Sequence, residues 1–193
     1  MRKTNPLISV IINCHNGEKY LKKCIKSVIS QDYKNWEIIF WDNCSKDRSV
    51  KILEKFNNKK IRKYKSKKFC KLYKARNLAL QKAKGEFIAF LDVDDYWKRD
   101  KLQRQINLLM KSKKEYKMVY SNYFVKDQNK KQFKIKYSKK LPQGSITQDL
   151  LKSYDVGILS VLAKKEVFKK KKFNINYDII GDFDFFVNFS LKN

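Results

Sequence analysis

Three carboxylates fall within four residues at Asp92-Val93-Asp94-Asp95, directly after the apolar run FIAFL. Like charges this close repel, and a protein that holds them at the end of a buried strand normally neutralises them with a cation, most naturally a hard divalent metal. The spacing is not that of an EF-hand, whose loop needs glycine at its sixth position, because the sixth residue from Asp92 is Trp97. The alternative is a solvated acidic turn that opens the following helix. Two polar clusters follow earlier apolar runs, Asn13-Cys14-His15-Asn16 and Asp42-Asn43-Cys44-Ser45. A further pair of carboxylates, Asp182 and Asp184, opens the last apolar segment, where they favour a helix N-terminus. His15 is the only histidine and has no nucleophile beside it in sequence, which argues against a Ser-His-Asp hydrolase.

These residues need elements to position them. The run LISVII (7–12) reads as a buried strand ending in a turn, and Tyr20, Leu21, Cys24, Ile25, Val28 and Ile29 lay an apolar stripe along a helix. WEIIFW (36–41) is a second strand, with a helix over 47–56 that Ser45 or Asp47 would cap. A weaker strand at 61–64, a helix at 73–84 and the strand FIAFL (87–91) continue the alternation. Leu102, Ile106, Leu109 and Met110 then mark a helix, and MVYSNYFV (118–125) a strand. The stretch 126–140 is Lys-rich with Phe133, Ile135 and Tyr137 alternating, as suits an edge strand or hairpin protected by charge. A late strand is expected at 158–163, a short helix and loop at 164–172, and a final helix from Asp182 to Lys192. Strands alternating with helices predict a mainly parallel α/β sheet with flanking helices and a short antiparallel edge region. In such sheets ligands bind beyond the carboxyl ends of the strands, where 13–16, 42–45 and 92–95 all lie.

Composition narrows the function. The chain has 193 residues, with 46 Lys and Arg against 19 Asp and Glu, a formal charge of +27. At 42% hydrophobic and 14% aromatic it folds rather than staying disordered. The basic residues are mostly lysine, whereas sequence-specific nucleic-acid readers favour arginine, so no specific nucleic acid is expected. The glycines lie too far apart for a GxGxxG turn or a P-loop, and Cys14, Cys24, Cys44 and Cys70 form no CxxC pair, so no zinc cluster is expected. No apolar run reaches the length of a membrane span, and reduced thiols fit a cytoplasmic protein.

The segments SVIINCHNGEKYLKKCIKSVISQ, WEIIFWDNCSKDRS, ARNLALQKAKGEFIAFLDVDD and, more loosely, IIGDFDFF together resemble the family-two glycosyltransferases of the GT-A, Rossmann-like fold. The resemblance covers about the first 110 residues in register, plus a C-terminal island. It implies an inverting, metal-dependent transfer of a sugar from a nucleotide-sugar donor, with a UDP-sugar expected, to a hydroxyl of a glycan or lipid-linked acceptor in polysaccharide or glycoconjugate synthesis. By the same resemblance, Asn13, His15 and Asn16 cup the base, with His15 in an aromatic slot. Asp42 and Asn43 form the second nucleotide loop. Asn43 replaces an acidic residue that accepts from uracil N3–H; an amide can accept there too, or donate to another base. Arg76 matches a position directed at the diphosphate, the alternative being a surface helix arginine. Asp92-Val93-Asp94 matches the DxD motif, in which Asp94 ligates Mn²⁺ or Mg²⁺ and Asp92 contributes to the ribose or the metal. Asp95 orients the loop. Asp182 occupies the position of the catalytic base, with Gly181 where the family has glutamate and Asp184 in reserve.

Residues 1–125 then form the donor half and 126–193 the acceptor-side segment of a single domain. The lysine runs read as solvated faces or as attraction to anionic lipid, which extends the expected location to the inner face of the membrane. Two rival readings are a non-catalytic nucleotide- or polyanion-binding module and a nucleotidyltransferase. The second would want a glycine-rich phosphate loop after its first strand, which Asn13 to Gly17 does not supply.

Overall fold

The computed structural model describes residues 5–112, 115–126 and 132–191. Its first half alternates as the apolar periods predict: β1 (Ile8–Cys14), α1 (Glu18–Ile29), β2 (Trp36–Asp42), α2 (Ser49–Glu54), β3 (Ile61–Lys65), α3 (Leu72–Leu80), β4 (Phe87–Phe90) and α4 (Lys101–Lys111). Later elements are shorter: β5 (Met118–Val119), β6 (Phe124–Lys126), β7 (Phe133–Ile135), α5 (Thr147–Lys152), β8 (Leu162–Lys164), α6 (Glu166–Lys170) and α7 (Gly181–Ser190). Among the described residues the main sheet runs β3-β2-β1-β4-β8-β5. The pairs β3/β2, β2/β1 and β1/β4 are parallel, whereas β8 lies antiparallel to both β4 and β5.

The central strands are buried on both faces, so they read as continuous apolar runs, and alternate residues feed separate cores. Ile8, Val10 and Ile12, with Ile38, Phe40 and Ala89, meet α1 and α4 through Leu21, Ile25, Leu102 and Ile106. Ile11, Ile39, Ile88 and Phe90 face the other way, onto Tyr73, Ala75 and Ala79 of α3 and Phe185 and Phe186 of α7. Burying α3 and α7 against one sheet face brings their ends to the same edge.

Three expectations need correction, and one element has no counterpart among them. The strand expected over 118–125 is two pieces: β5 pairs in the main sheet for two residues, and β6 leaves it to form a separate hairpin with β7. Asn122 makes the break, because its side chain accepts from the Tyr123 and Tyr137 amides and donates to the Tyr137 carbonyl. The strand expected at 158–163 starts as a 3-10 turn, Ile158–Ser160, before β8. Ser160 closes that turn by donating its amide and hydroxyl to the Gly157 carbonyl. The helix expected over 47–56 is shorter, and Asp47 precedes it, accepting the Ser49 amide at 2.9 Å. α5 has no counterpart among the expected elements; its six residues bury only Leu150 and carry too little apolar period to show in sequence. Residues 127–131 of the Lys-rich stretch and Lys192 lie outside the described residues.

Candidate active site

The carboxyl ends of β1, β2 and β4 carry the three polar loops, and each loop is held by its neighbours. The Asn43 amide donates to the Cys14 carbonyl at 2.7 Å, and the ring of His15 hydrogen-bonds through Nδ1 to the Asn43 carbonyl at 2.8 Å. The Asn16 amide donates to Ser45 Oγ at 3.0 Å, and Asn16 Oδ1 accepts the Lys46 amide at 2.8 Å. Both loops turn through left-handed residues, Asn16 at φ 54° and Cys44 at φ 61°. Asparagine tolerates this conformation; for cysteine it costs about 1–2 kcal/mol, a strain that such interlocked loops sustain.

The acidic loop packs onto this frame. A Cβ at Gly17 would lie 2.6 Å from Val93 Cγ2 and 2.9 Å from Cys14 Sγ, so glycine is what lets the first loop close on the third. The Val93 side chain accordingly points inward into the core and leaves Asp92 and Asp94 to the mouth. Cys24 of α1 donates its thiol to the Asp92 carbonyl at 3.7 Å, and the Asp95 amide donates to the same carbonyl at 3.0 Å. Burial, with Asp92 and Asp94 nearby, pushes the Asp95 carboxyl up to about 6. Asp94 is exposed.

Arg76 is not a surface residue. Only 3% exposed, its guanidinium donates through Nη2 to both oxygens of Asp92, at 2.7 and 3.0 Å, and lies 5.4 Å from the Tyr73 ring centroid. The Tyr73 hydroxyl in turn donates to the Ile179 carbonyl and reaches Asp182 Oδ1 at 3.3 Å. The Phe183 amide donates to the same Oδ1 at 3.0 Å. The buried Tyr154 hydroxyl lies beside Asp182, and burial together with that carboxylate raises its pKa and keeps it neutral. One continuous chain, Asp92–Arg76–Tyr73–Asp182, therefore joins the acidic loop to the start of α7. Asp184 is turned away from it, with its side chain held by Asn188 at 2.9 Å one turn along the helix. Gly181 has a steric reason: a Cβ there would lie 2.5–2.7 Å from three carbons of the Tyr73 ring.

In the second loop the side chain of Asn43 is engaged with the protein itself. Its Nδ2 donates to the Cys70 carbonyl at 2.7 Å, and its Oδ1 accepts the Cys70 amide at 3.2 Å. Asp42 is buried, with Oδ1 accepting the Ser45 amide at 3.0 Å and Oδ2 left without a partner. Asn13, at the end of β1, likewise keeps a buried Nδ2 without a partner. What stands open at the mouth is an aromatic pair, His15 and Phe69, with centroids 4.7 Å apart and planes tilted by 59°. Phe69, Tyr73, Cys70 and Tyr154 do not stand out in sequence as site residues. Only Tyr73 carries a signal, standing three residues before Arg76 on one helix face.

Among the described residues, no three His, Cys, Asp or Glu side chains converge closely enough to hold a metal ion. A hard cation such as Mg²⁺ needs only one or two protein carboxylates when it shares its ligands with substrate phosphates. Of the two carboxylates expected at a metal, Asp94 is exposed and Asp92 is paired with Arg76.

Comparison with known proteins agrees with this architecture. Residues 9–174 match the model of Glycosyl transferase family 2. The chain is 33% identical over 168 residues to the Escherichia coli UDP-Glc:alpha-D-GlcNAc-diphosphoundecaprenol beta-1,3-glucosyltransferase WfgD, covering 86% of this chain and 64% of WfgD. Staphylococcus aureus TarS, solved with UDP-GlcNAc, superposes with a TM-score of 0.68 at 24% identity, over 96% of this chain and 52% of that one. The mannosyltransferase PcManGT of Pyrobaculum calidifontis, solved with GDP-Man and Mn²⁺, superposes at 0.66 and 17% identity, over 90% and 49%. The chain thus spans from about half to about two thirds of these relatives, and the two structural likenesses show the shared GT-A fold. A family match over most of the chain, and a fold that sets its polar loops at the carboxyl ends of parallel strands, together establish that this chain belongs to glycosyl transferase family 2.

Proposed function

We propose that the protein transfers a sugar, with inversion, from a nucleotide-diphosphate sugar to a hydroxyl of a glycan or lipid-linked acceptor. The observation that carries this is the Asp92–Arg76–Tyr73–Asp182 chain, which places a basic helix residue between an acidic loop and a carboxylate at a helix start. Residues 1–125 serve the donor and 126–193 the acceptor. The base stacks at His15 and Phe69, within reach of Asn13, Asn16 and the Asp42–Asn43 turn. WfgD uses a UDP-sugar and a diphosphoundecaprenol-linked acceptor by its name, and TarS was solved with UDP-GlcNAc, which together support a UDP-sugar and an anionic lipid-linked acceptor.

Asp94 would hold a divalent cation, Mn²⁺ or Mg²⁺, which when bound would supply Lewis-acid stabilisation of the leaving group. The protein's own residues do the rest. Arg76 fixes Asp92 and adds positive charge beneath the diphosphate. Tyr73 and the Phe183 amide orient Asp182. Asp182 takes the proton of the acceptor hydroxyl as its oxygen bonds to the anomeric carbon, and the nucleoside diphosphate leaves with the electron pair of the broken bond.

The test uses calorimetry of UDP binding with and without Mn²⁺, alongside transfer assays. Asp94→Ala should lose the Mn²⁺-dependent part of binding. Asp182→Asn should bind UDP normally yet lose about 10²–10⁴-fold in transfer, the usual worth of general-base catalysis. Asp184→Asn should keep transfer within about threefold of wild type, because that side chain serves Asn188. A dead Asp184→Asn beside an active Asp182→Asn would overturn the assignment of the base. Metal-independent UDP binding would overturn that of Asp94.

A further inference from the structure

The β6–β7 hairpin has a composition that the donor and acceptor sites do not use. Phe124 pairs with Ile135 and Lys126 with Phe133, so these four side chains share one face, while Val125 and Lys134 take the other. Phe124 is 50%, Phe133 49% and Ile135 54% exposed. A two-stranded ribbon that buries neither face has little stability of its own, and apolar side chains lined up on one invite association. Yet the ribbon is firmly anchored at its base. The Lys136 amide donates to the Tyr123 carbonyl at 2.8 Å, Asn122 bridges to Tyr137, and the Tyr137 hydroxyl donates to the Tyr154 carbonyl at 3.0 Å. Tyr154 is the residue beside Asp182. On the other flank the Lys98 ammonium, six residues after the acidic loop begins, sits 4.7 Å over the Phe124 ring. The apolar face is therefore held at the rim of the candidate active site, on its acceptor side.

The segment that carries it is strongly basic in sequence. From residue 121 to 140 the sequence holds Lys126, Lys130, Lys131, Lys134, Lys136, Lys139 and Lys140 against the single acid Asp127. Aromatic and branched apolar side chains with Lys126 on their own face, Lys98 over Phe124 and Lys134 on the opposite face match the boundary between lipid headgroups and acyl chains: the rings enter the apolar layer while the ammonium groups remain among anionic headgroups. Nucleic acid fits less well, because this stretch has no arginine. We propose that the β6–β7 hairpin docks the protein onto an anionic bilayer and so presents the start of α7 to acceptors that lie at the membrane surface. The inference rests on the acceptor-side reading above, but its test needs neither donor nor acceptor, so each can fail alone.

The full chain is cosedimented with vesicles of phosphatidylcholine alone or with about one third phosphatidylglycerol, at low and at moderate salt. Wild type should bind the anionic vesicles at least about tenfold more tightly, and less so with added salt. Replacing Phe124, Phe133 and Ile135 together by serine should weaken that binding about tenfold, as should Lys126→Gln/Lys134→Gln/Lys136→Gln. The charge-matched control Lys51→Gln/Lys55→Gln/Lys59→Gln, on and just after α2, should stay within about twofold of wild type. All of these side chains are exposed, and unchanged thermal melting verifies folding. Equal loss in the hairpin and control variants would mean that net charge alone binds, and would overturn the proposal. So would wild-type binding to neither vesicle or equally to both, or self-association that the serine variant abolishes while vesicle binding persists.

Discussion

Gly181→Ala tests the packing beneath the proposed base. The new methyl group would sit 2.5, 2.6 and 2.7 Å from Tyr73 ring carbons. All three fall well inside carbon contact distance, and Tyr73 is 2% exposed, hemmed in by Phe173 at a centroid distance of 5.8 Å. Overpacking of this kind costs about 1–3 kcal/mol. Against it stands the helix preference of alanine over glycine, at most about 1 kcal/mol and less at the first position of α7. The net is a destabilisation of about 1–2 kcal/mol, a fall in Tm of about 2–8 °C for a chain of this size. Because relief must come from the ring, the Tyr73 hydroxyl should leave Asp182, and transfer should fall with UDP affinity unchanged. The assay is urea unfolding of Gly181→Ala, Tyr73→Leu and the double variant. In the Tyr73→Leu background the alanine should become neutral or stabilising, a coupling of about 1–2 kcal/mol. Equal costs in both backgrounds would refute the steric account, as would wild-type stability in the single variant.

Two further outcomes follow from the same geometry. Phe69→Ala removes half of the exposed aromatic pair and should weaken UDP binding about tenfold, within the 1–3 kcal/mol typical of base stacking, without altering the Mn²⁺ dependence; unchanged affinity would remove Phe69 from the base site. Lys101, whose ammonium lies over Trp97 and donates to Gln105 at 2.7 Å, is held at about 7 by burial, so it is neutral in the folded protein and protonated in the unfolded chain between pH 7 and its ordinary value. The unfolded state then binds more protons, and this residue makes stability rise with pH across that window and leaves its full penalty in place below it. Subtracting the pH profile of Lys101→Met from that of wild type, by urea midpoints, should isolate this slope, and a flat difference would disprove the burial.

The first half of the fold is legible because each element there is long enough to carry its period. FIAFL throughout and WEIIFW apart from Glu37 are apolar and bury both faces, and α1 and α4 show clean stripes. Apart from α7, the second half is written in elements of two to six residues whose boundaries are set by single side chains such as Asn122, which no periodic pattern registers. The site divides in the same way. The three loops are visible as polar residues after apolar runs. Their partners are not: Tyr73 and Asp182 meet across 109 positions, Asn43 and Cys70 across 27. In sequence Arg76 reads equally well as a surface residue, and only its burial against Asp92 decides the matter. Gly181 reads as a departure from the family pattern, and only the ring of Tyr73 explains why no larger residue stands there.

α3 carries both Arg76 and Tyr73, one turn apart, so a single rod sets the height of the acidic loop and the aim of the helix-start carboxylate. Any rotation of that rod swings Asp92 and Asp182 in concert, and substitutions along it will not behave as independent events. A change that resets one carboxylate must also preserve the placement of the other, which makes the small alanines at 75 and 79, wedged against the sheet, the quiet guardians of that alignment.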